Sequence, residues 1–522
     1  MKKYTLLMVL ATTGVFYYSC SNDSLDVVPL ESITDVTFWK TEADAKMGLV
    51  GCYQIFAAGN NWRGTLELDG GSDNASDCRG YSALASGQMT ATSSYFNFFA
   101  YDRIQRYNNF LLKVQDVPMD ESTKNIFAAE VRFLRAWDYM LKTMFFGDVP
   151  LVTTVLGPNE RLPRDPVATV QQFVLDELEA ISNILPVMNN AESGGHVTSG
   201  SALALKARLE LYMERYVDAM VDAKRVIDMN VYELDPDYTT MFYPGNQSSV
   251  EAIFTMNFAK NFIGEEFIPR EFLINSYNGY SCMACSKSLL DTYEMANGKT
   301  IDDPTSGYDP DRPFENRDAR MRQTMLFPGS NYWDGQIFNS LDFFLPDGTK
   351  NINHWSVGAS SGLASIKYVK PVSIVDNQQY DVAIMIIRLA EMYLIYAEAA
   401  VEADQNKDLG LQYLNLVRQR VDQPDATELT RDLVRRERRV EFALEGLRYF
   451  DIRRWDIGAS TLGVPLLGVK EGTVDMSTGE VTWFANDLVI DANRVFLPER
   501  NYLLPIPQSE IDISGMAQNP GY

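Results

Sequence analysis

Two stretches rich in glycine and asparagine, about residues 57–100 and 236–381, place aromatic rings beside Asp, Asn and Arg side chains. A flat ring can stack on the apolar C–H face of a sugar, while polar side chains hydrogen-bond its hydroxyl groups. Loop rings are not needed to complete a helix face, so we expect several of them to contact a ligand. The alternative for each ring is that it anchors its loop to the scaffold. The candidate ligand contacts are Trp62, Asp73, Asn74, Arg79, Tyr81, Tyr95, Tyr277, Tyr280, Trp333 and Trp355.

Residues for nucleophilic catalysis are scarce. The chain has two histidines, His196 and His354. Gly358–Gly362 matches the G-x-S-x-G nucleophile elbow, but that motif needs a strand, a sharp turn and a helix, followed later by a histidine. No histidine follows His354. A pair of carboxylates for glycoside hydrolysis stays open among 70 acidic residues, although no segment isolates two acids in contrasting settings. We predict that the protein is not an enzyme and has no catalytic residue.

The cysteines do not form a recognisable metal set. Cys282 and Cys285 make a C-x-x-C, but no second pair or neighbouring histidine completes a zinc site. A local disulfide and free thiols are equally favoured, and redox or metal chemistry is the least favoured outcome. We therefore predict no metal and no cofactor.

Cys20 stands at the end of an apolar stretch that follows Lys2 and Lys3. This stretch is shorter than the ~20 residues that span a bilayer, which is typical of a signal peptide. The sequence predicts a lipoprotein signal at residues 1–19, lipidation of Cys20, and a short acidic tether at residues 20–34. Several acyl chains would hold such a protein stably at a membrane.

The charge of the chain excludes some partners. Its formal net charge is −24 and its pI is about 4.6, which argues against nucleic acid because phosphate contacts need clustered Lys and Arg. The same charge argues against docking on anionic lipid, so we expect the lipid anchor alone to hold the protein at the membrane.

Three pairs of segments with helical periodicity predict the scaffold that positions the loops. The pairs are residues 128–146 with 165–186, 198–215 with 216–229, and 388–403 with 408–421. Asp165 before Pro166 is predicted to cap its helix. Small residues in the second and third pairs, such as Ala204, Ala207, Ala397 and Ala400, suggest tetratricopeptide-like hairpins. The predicted fold is mainly α: one compact body of helical hairpins at residues 35–522, with long irregular loops and minor strands.

Seven segments, in order along the mature chain, resemble the SusD/RagB family of nutrient-binding surface lipoproteins. Among them are "LDVVPLESITDVTFWKTEADA", "AEVRFLRAWDYMLKTMFFGDVPLV", "RRERRVEFALEGLRYFDIRRW" and "NYLLPIPQSEIDISGMAQNPGY". The resemblance implies a tetratricopeptide-like scaffold with a glycan site on the loops. Where this family often presents a ligand-stacking tryptophan, Tyr95, Phe96 or Phe98 would have to serve here.

The resemblance also implies a location and a partner. Such proteins are lipid-anchored in the outer membrane, exposed at the cell surface, and deliver a polysaccharide or oligosaccharide to a SusC-like TonB-dependent transporter. Some relatives take peptides or other nutrients, and a lid without its own ligand site is a further alternative. The identity of the ligand is not fixed by these residues.

Overall fold

Paired helices form the scaffold of the chain, as the periodicity predicts. The computed structural model describes residues 38–57, 66–78, 82–93, 98–157, 160–189, 194–245, 249–258, 271–369 and 381–522. The predicted signal peptide, the tether and Cys20 lie outside these residues. The helices are α1 Glu42–Ala57, α2 Ser82–Ala85, α3 Asp102–Lys113, α4 Glu121–Phe146, α5 Val167–Ser182, α6 Ser199–Tyr212, α7 Tyr216–Asp228, α8 Lys287–Thr292, α9 Ala319–Thr324, α10 Leu389–Glu402, α11 Lys407–Gln419, α12 Arg431–Glu441, α13 Arg448–Arg454, α14 Gly458–Leu462, α15 Pro498–Asn501 and α16 Gln508–Ser514.

The three predicted hairpins are α4–α5, α6–α7 and α10–α11, and each pair packs together. Small residues permit close approach in the last of them. A Cβ atom added to Gly410 of α11 would lie 3.1 Å from the Ala400 Cβ and 3.3 Å from the Ala397 Cα of α10. In the α6–α7 hairpin Ala204 and Ala207 are fully buried, as the sequence predicts. The mainly helical fold is confirmed.

The predicted cap of α5 is wrong. The helix begins at Val167 after Pro166, and Asp165 lies one residue too early to cap it. The Asp165 carboxylate instead accepts a hydrogen bond from the Leu151 N–H at 2.7 Å, across a bridge between the two segments. The Asp148 carboxylate takes over the capping, accepting from the Val167 N–H at 2.8 Å.

Strands are short and serve mainly to join loops. They are β1 Ala75–Ser76, β2 Ala252–Phe258, β3 Ala284–Cys285, β4 Met325–Leu326, β5 Ala364–Ser365, β6 Val382–Arg388, β7 Leu466–Val474 and β8 Val481–Asp491. The antiparallel β2–β6 ribbon closes the base of the long central excursion. A four-stranded sheet in the order β1-β3-β5-β4 joins the early excursion to the central one, and β7 and β8 form a hairpin.

Buried ion pairs fix Arg320 of the central excursion, and Arg388 at the end of β6, to α12 and the turn that follows it. Glu437 and Glu441 lie about one helical turn apart on α12 and face inward together, and Glu445 lies in the turn after the helix. Arg320 binds Glu437 and Glu441, while Arg388 binds Glu441 and Glu445, and all of these residues are buried. Removing one partner of such a network would leave an uncompensated buried charge, so the network holds the excursion in one arrangement.

The backbone conformation after Glu445 explains why the next residue, Gly446, is a glycine. Gly446 has a φ of +79°, a region that residues with a Cβ rarely adopt. In this conformation its N–H donates to the Asp69 carboxylate at 2.6 Å. The glycine therefore ties the helical scaffold to the early loop excursion.

One hydrophobic core runs through the scaffold and beneath the loops, from Ala45 to Ile506. Among the residues that the structure describes, none of the helices combines the length and the apolar character needed to cross a bilayer.

Candidate ligand site on the aromatic loops

The small sheet brings four loop segments to one place. Ala75 of β1 pairs with Cys285 of β3, and Ala364 of β5 pairs with both Ala284 and Leu326. A disulfide between Cys78 and Cys282 crosses the same junction and joins residues 204 positions apart. Of the two alternatives left open for the C-x-x-C pair, the local disulfide does not form: Cys285 is a buried free thiol in β3.

Tyr277 and Trp333 stack on each other beside this junction. Their ring centroids lie 5.7 Å apart with an interplanar angle of 23°, and Tyr332 meets Tyr277 edge-on at 5.3 Å. Tyr277 and Tyr332 are each only 8% exposed, whereas Trp333 is partly exposed. Trp333 is therefore the outer ring of the stack, and the two tyrosines support it from behind.

Side-chain amides hold the stack in position. Asn353 donates to the Tyr332 hydroxyl at 3.1 Å and accepts from the Ser276 N–H at 3.0 Å. Asn275 donates to the Ile352 carbonyl at 2.8 Å. Because these bonds join residues 275–277 to residues 332–353, the rings cannot move independently of one another.

Tyr280 projects from a tight turn close to the stack. The Ser281 N–H donates to the Leu273 carbonyl at 2.8 Å, which closes the turn. A Cβ atom at Gly279 would lie only 2.0 Å from the Leu273 oxygen, so glycine is required there. The turn leaves Tyr280 49% exposed, the most exposed of the predicted contacts that the structure describes.

A second aromatic group continues the surface through residues that the sequence analysis missed. Phe343 contacts Phe344 and His354 at centroid distances of 5.0 and 5.2 Å, and His354 contacts Trp355 at 5.1 Å. Phe343 and Phe344 are 43% and 60% exposed. Burial lowers the pKa of His354, so its ring is neutral near pH 7 and acts as part of the aromatic surface. The sequence signal that could have identified this second aromatic group is the pair of adjacent phenylalanines before the Asp347-Gly348 turn.

Asp73 and Asn74 face a different part of the molecule. Asp73 forms ion pairs with Arg448 at 2.7 Å and Arg439 at 2.9 Å, and Asn74 accepts a hydrogen bond from Arg439 at 2.8 Å. Burial alone would raise the pKa of the Asp73 carboxyl, but the two guanidinium groups hold that pKa well below its usual range. Asp73 also lines a cavity of about 690 Å³, which we call the arginine cavity because four arginines line it.

Four other predicted contacts, Trp62, Arg79, Tyr81 and Tyr95, lie outside the described residues. Of the three rings proposed to replace the family tryptophan, Phe98 is 3% exposed and stacks on Phe145 with centroids 4.3 Å apart. Phe98 is therefore a core residue, so that alternative is wrong.

The G-x-S-x-G segment does not form a nucleophile elbow. It lies in a series of turns before the two-residue strand β5, with no helix following it directly. The Ser360 hydroxyl lies 2.8 Å from that of Ser76. His354 Nδ1 lies 2.8 Å from Ser356 Oγ, and His196 Nδ1 lies 2.7 Å from a Glu130 oxygen. Both histidines therefore have structural partners.

The one cluster of metal-ligand residue types in the described chain consists of Cys78, Glu271 and Cys282. Both sulfur atoms belong to the disulfide, so neither is a thiolate that could bind a metal ion. This cluster therefore does not supply a metal site.

Comparison with known proteins identifies the family. The family model described as "SusD family" matches residues 237–522, which is more than half of the chain. The chain belongs to the SusD family. The matched region of this SusD-family protein includes Tyr277, Tyr280, Trp333 and Trp355, together with the buried ion pairs of α12.

Individual relatives are similar over nearly the whole chain. A SusD-like protein of Bacteroides ovatus is 23% identical over 480 residues, covering 86% of this chain and 82% of the relative. A solved SusD-like carbohydrate binding protein of Bacteroides fragilis is 26% identical with a TM-score of 0.79, covering 92% of this chain and 99% of the other. A solved laminarin binding SusD-like protein is 23% identical with a TM-score of 0.71, covering 93% and 100%.

Proposed function

We propose that this SusD-family protein binds a glycan on the surface formed by Tyr280, Trp333 and Trp355. The single observation that carries the proposal is the partly exposed Trp333 ring, which stacks on Tyr277 beside Tyr332, the ring that the Asn353 amide holds. A rigid, outward-facing ring can stack on a sugar without first losing conformational freedom.

The chemistry around the rings suits a polyhydroxylated ligand. Asp334, Gln336 and Asn278 lie in the same loops as the rings and offer donors and acceptors for hydroxyl groups. Burial and the Asp334 carboxylate raise the pKa of Tyr277, so its phenol stays protonated at physiological pH. Two solved relatives are described as carbohydrate binding and laminarin binding, which supports the same ligand class here.

The expected affinity is modest. Stacking one ring on a sugar face buries roughly 50 Å² of apolar surface, worth about 1 kcal/mol. A flexible glycan loses freedom on binding, so we expect dissociation constants of roughly micromolar to millimolar. A long chain that binds repeatedly at a cell surface compensates through its high local concentration.

The proposal includes a location and a partner. After removal of residues 1–19, Cys20 is lipidated and residues 20–34 hold the helical body of residues 35–522 outside the outer membrane. The bound glycan is delivered to a SusC-like TonB-dependent transporter. The protein holds its ligand without cleaving it.

A glycan array probed with the mature protein tests this function, followed by analysis of the bound glycan for shorter products. Retention of a polysaccharide or oligosaccharide without products is the expected result. Release of smaller sugars would show a hydrolase instead. Binding of peptides alone would show another nutrient class, and association with the transporter without any ligand would show a structural lid.

A further inference from the structure

The arginine cavity lies between α8, α12 and the start of β7, and its volume of about 690 Å³ suits a small ligand. Its lining holds five cationic and four anionic side chains, although the whole chain carries a net charge of −24. The cations are Lys287, Arg435, Arg436, Arg439 and Arg448. A cavity with a cationic excess is thus embedded in a strongly acidic protein.

Helical geometry produces this excess. Arg435, Arg436 and Arg439 project from one side of α12 into the cavity lining, while Glu437 and Glu441 face the core and bind other cations. The arginines of this side therefore depend on other elements for their counter-charges.

The carboxylates of the cavity lining do not form ion pairs with Arg435 and Arg436. Asp73 is shared by Arg439 and Arg448, and Asp291 pairs with Lys287. Arg436 binds Glu294 through its Nε atom at 2.8 Å, and its terminal nitrogens have no hydrogen-bond partner among the described residues. Arg435 has a loose ion pair with Glu402 at 3.7 Å and a further charge interaction with Glu398.

Two buried polar atoms on lining residues have no hydrogen-bond partner among the described residues. They are the Nε donor of Arg435 and the Oδ1 acceptor of Asp487. Buried groups of this kind are uncommon in native proteins, and a water molecule, an ion or a ligand can satisfy them. The side chains of Arg435 and Arg436 are each 27% exposed and Asp487 is only partly buried, so a ligand in the cavity can approach all three. Burial also lowers the pKa of Arg435 and lowers that of Arg439 to about 10, as expected for cations short of counter-charge.

Aromatic walls complete the site. The Arg435 guanidinium lies 4.7 Å from the centroid of the Trp455 ring, within the range of a cation–π contact. A smaller cavity of about 300 Å³ shares Lys287 and Asp291 with the first one and adds the rings of Tyr308 and Trp483. An anion subsite thus adjoins rings of the kind that stack on sugars.

We propose that the arginine cavity is a second binding site, separate from the aromatic loops, for a saccharide that carries a carboxylate or a sulfate ester. The anionic group binds Arg435 and Arg436, and a hydroxyl group donates to Asp487. The proposal is independent of the glycan site on the loops.

The test measures binding of glucuronate and glucose 6-sulfate to the mature protein by calorimetry and ligand-observed NMR, with glucose and inorganic sulfate as matched probes. We expect at least one acidic sugar to bind about tenfold or more tightly than glucose, with an affinity that falls as salt is added. The acidic sugar that binds shows whether the site takes a carboxylate or a sulfate ester.

Variants on α12 locate the site. R435Q combined with R436Q should weaken the acidic sugar about tenfold or more. R215Q is the matched control, because Arg215 lies outside the cavity lining and forms a surface pair with Asp218. It should leave the affinity within about twofold. Asp302 is an exposed carboxylate in the cavity lining, so D302N should tighten binding about twofold, which a folding defect would not do.

Several results would overturn the proposal. Equal affinities for glucose and glucuronate would show that the anionic group does not contribute to binding. Equal affinities for inorganic sulfate and glucose 6-sulfate would show that the sugar ring does not contribute. Equal losses in R215Q and the double variant place the anion elsewhere. No binding of either acidic sugar at tens of millimolar means that water alone satisfies Arg435 and Asp487. Trp333→Ala should leave acidic-sugar binding unchanged, so this site and the loop site can fail separately.

Discussion

The aromatic loops and the arginine cavity are two regions of the same fold that are built on opposite principles. In the loops, rings pack on rings, and neutral amides such as Asn353 hold them. In the cavity, buried charges hold one another, with Asp73 between Arg439 and Arg448. Ring packing tolerates the loss of one exposed member, whereas a buried ion pair that loses one member leaves an uncompensated charge. We therefore expect variants in the loops to change ligand binding. Variants in the buried ion pairs of Asp73 should instead change the free energy of unfolding.

The largest effect should come from Arg448→Met. This change leaves the Asp73 carboxylate, which is 5% exposed, with only Arg439 as its counter-charge. We expect the free energy of unfolding to fall by about 3–5 kcal/mol in urea denaturation. Arg312→Met is the matched control, because Arg312 forms a surface pair with Glu315 and should cost less than about 0.5 kcal/mol. A similar small loss in both variants would remove the contrast between the regions.

The disulfide should contribute next, because it joins the loop of Asp73 to the loop of Tyr280. Replacing Cys78 and Cys282 by serine should lower stability by about 2–5 kcal/mol, since the bond closes a loop of 204 residues. Glycan affinity at the loops should fall as well. Dithiothreitol should destabilise the natural protein to the level of the variant and leave the variant unchanged. A variant that keeps its stability would show that the small sheet alone holds the junction.

Asp69 supplies a pH test on the charged side of the comparison. Burial raises its pKa from 3.8 to about 6, so the folded state binds a proton more tightly than the unfolded state does. As the pH rises from 3.8 to about 6, the titration of Asp69 therefore lowers the free energy of unfolding of the natural protein. Relative to the natural protein, Asp69→Asn should gain on the order of 3 kcal/mol across this window.

The control variant for this pH test should change in stability with pH in the opposite direction. Asp120 is the exposed N-cap of α4, and the Ser122 and Thr123 groups that donate to it lower its pKa. Asp120→Asn should therefore lose stability relative to the natural protein as the pH rises through the unfolded value. Parallel pH profiles for both variants would contradict the assignment of Asp69. The measurement is urea denaturation at a series of pH values.

The smallest effects on stability should accompany clear effects on binding. Trp333→Ala and Tyr280→Ala should each weaken glycan binding about fivefold, the equivalent of about 1 kcal/mol for one ring, with melting temperatures nearly unchanged. Tyr277→Ala should lower both binding and stability, because this buried ring supports Trp333. If Trp333→Ala and Tyr280→Ala melt early but bind normally once folded, their rings are loop anchors.

Some features of this protein follow from residues that are close in sequence. The helices of the α6–α7 and α10–α11 hairpins are predicted by their periodicity, and their small residues predict the close packing seen at Ala400 and Gly410. The loop composition also identifies Tyr280 as an exposed ring and Trp333 as a partly exposed one. Such features depend on local periodicity and on which residue types a helix face or a loop can accept.

Other features depend on segments that meet only in the folded chain. The sequence predicts Asp73 as a ligand contact, and only the fold shows that Asp73 contacts Arg439 and Arg448, more than 360 positions away. The partner of Cys282 is Cys78 and not the nearby Cys285, because the β1–β3 pairing brings Cys78 alongside it. Phe343 and Phe344 join the aromatic surface only because His354 and Trp355 fold back onto them. Residue types fix which interactions are available, and chain closure over long separations decides which of them form.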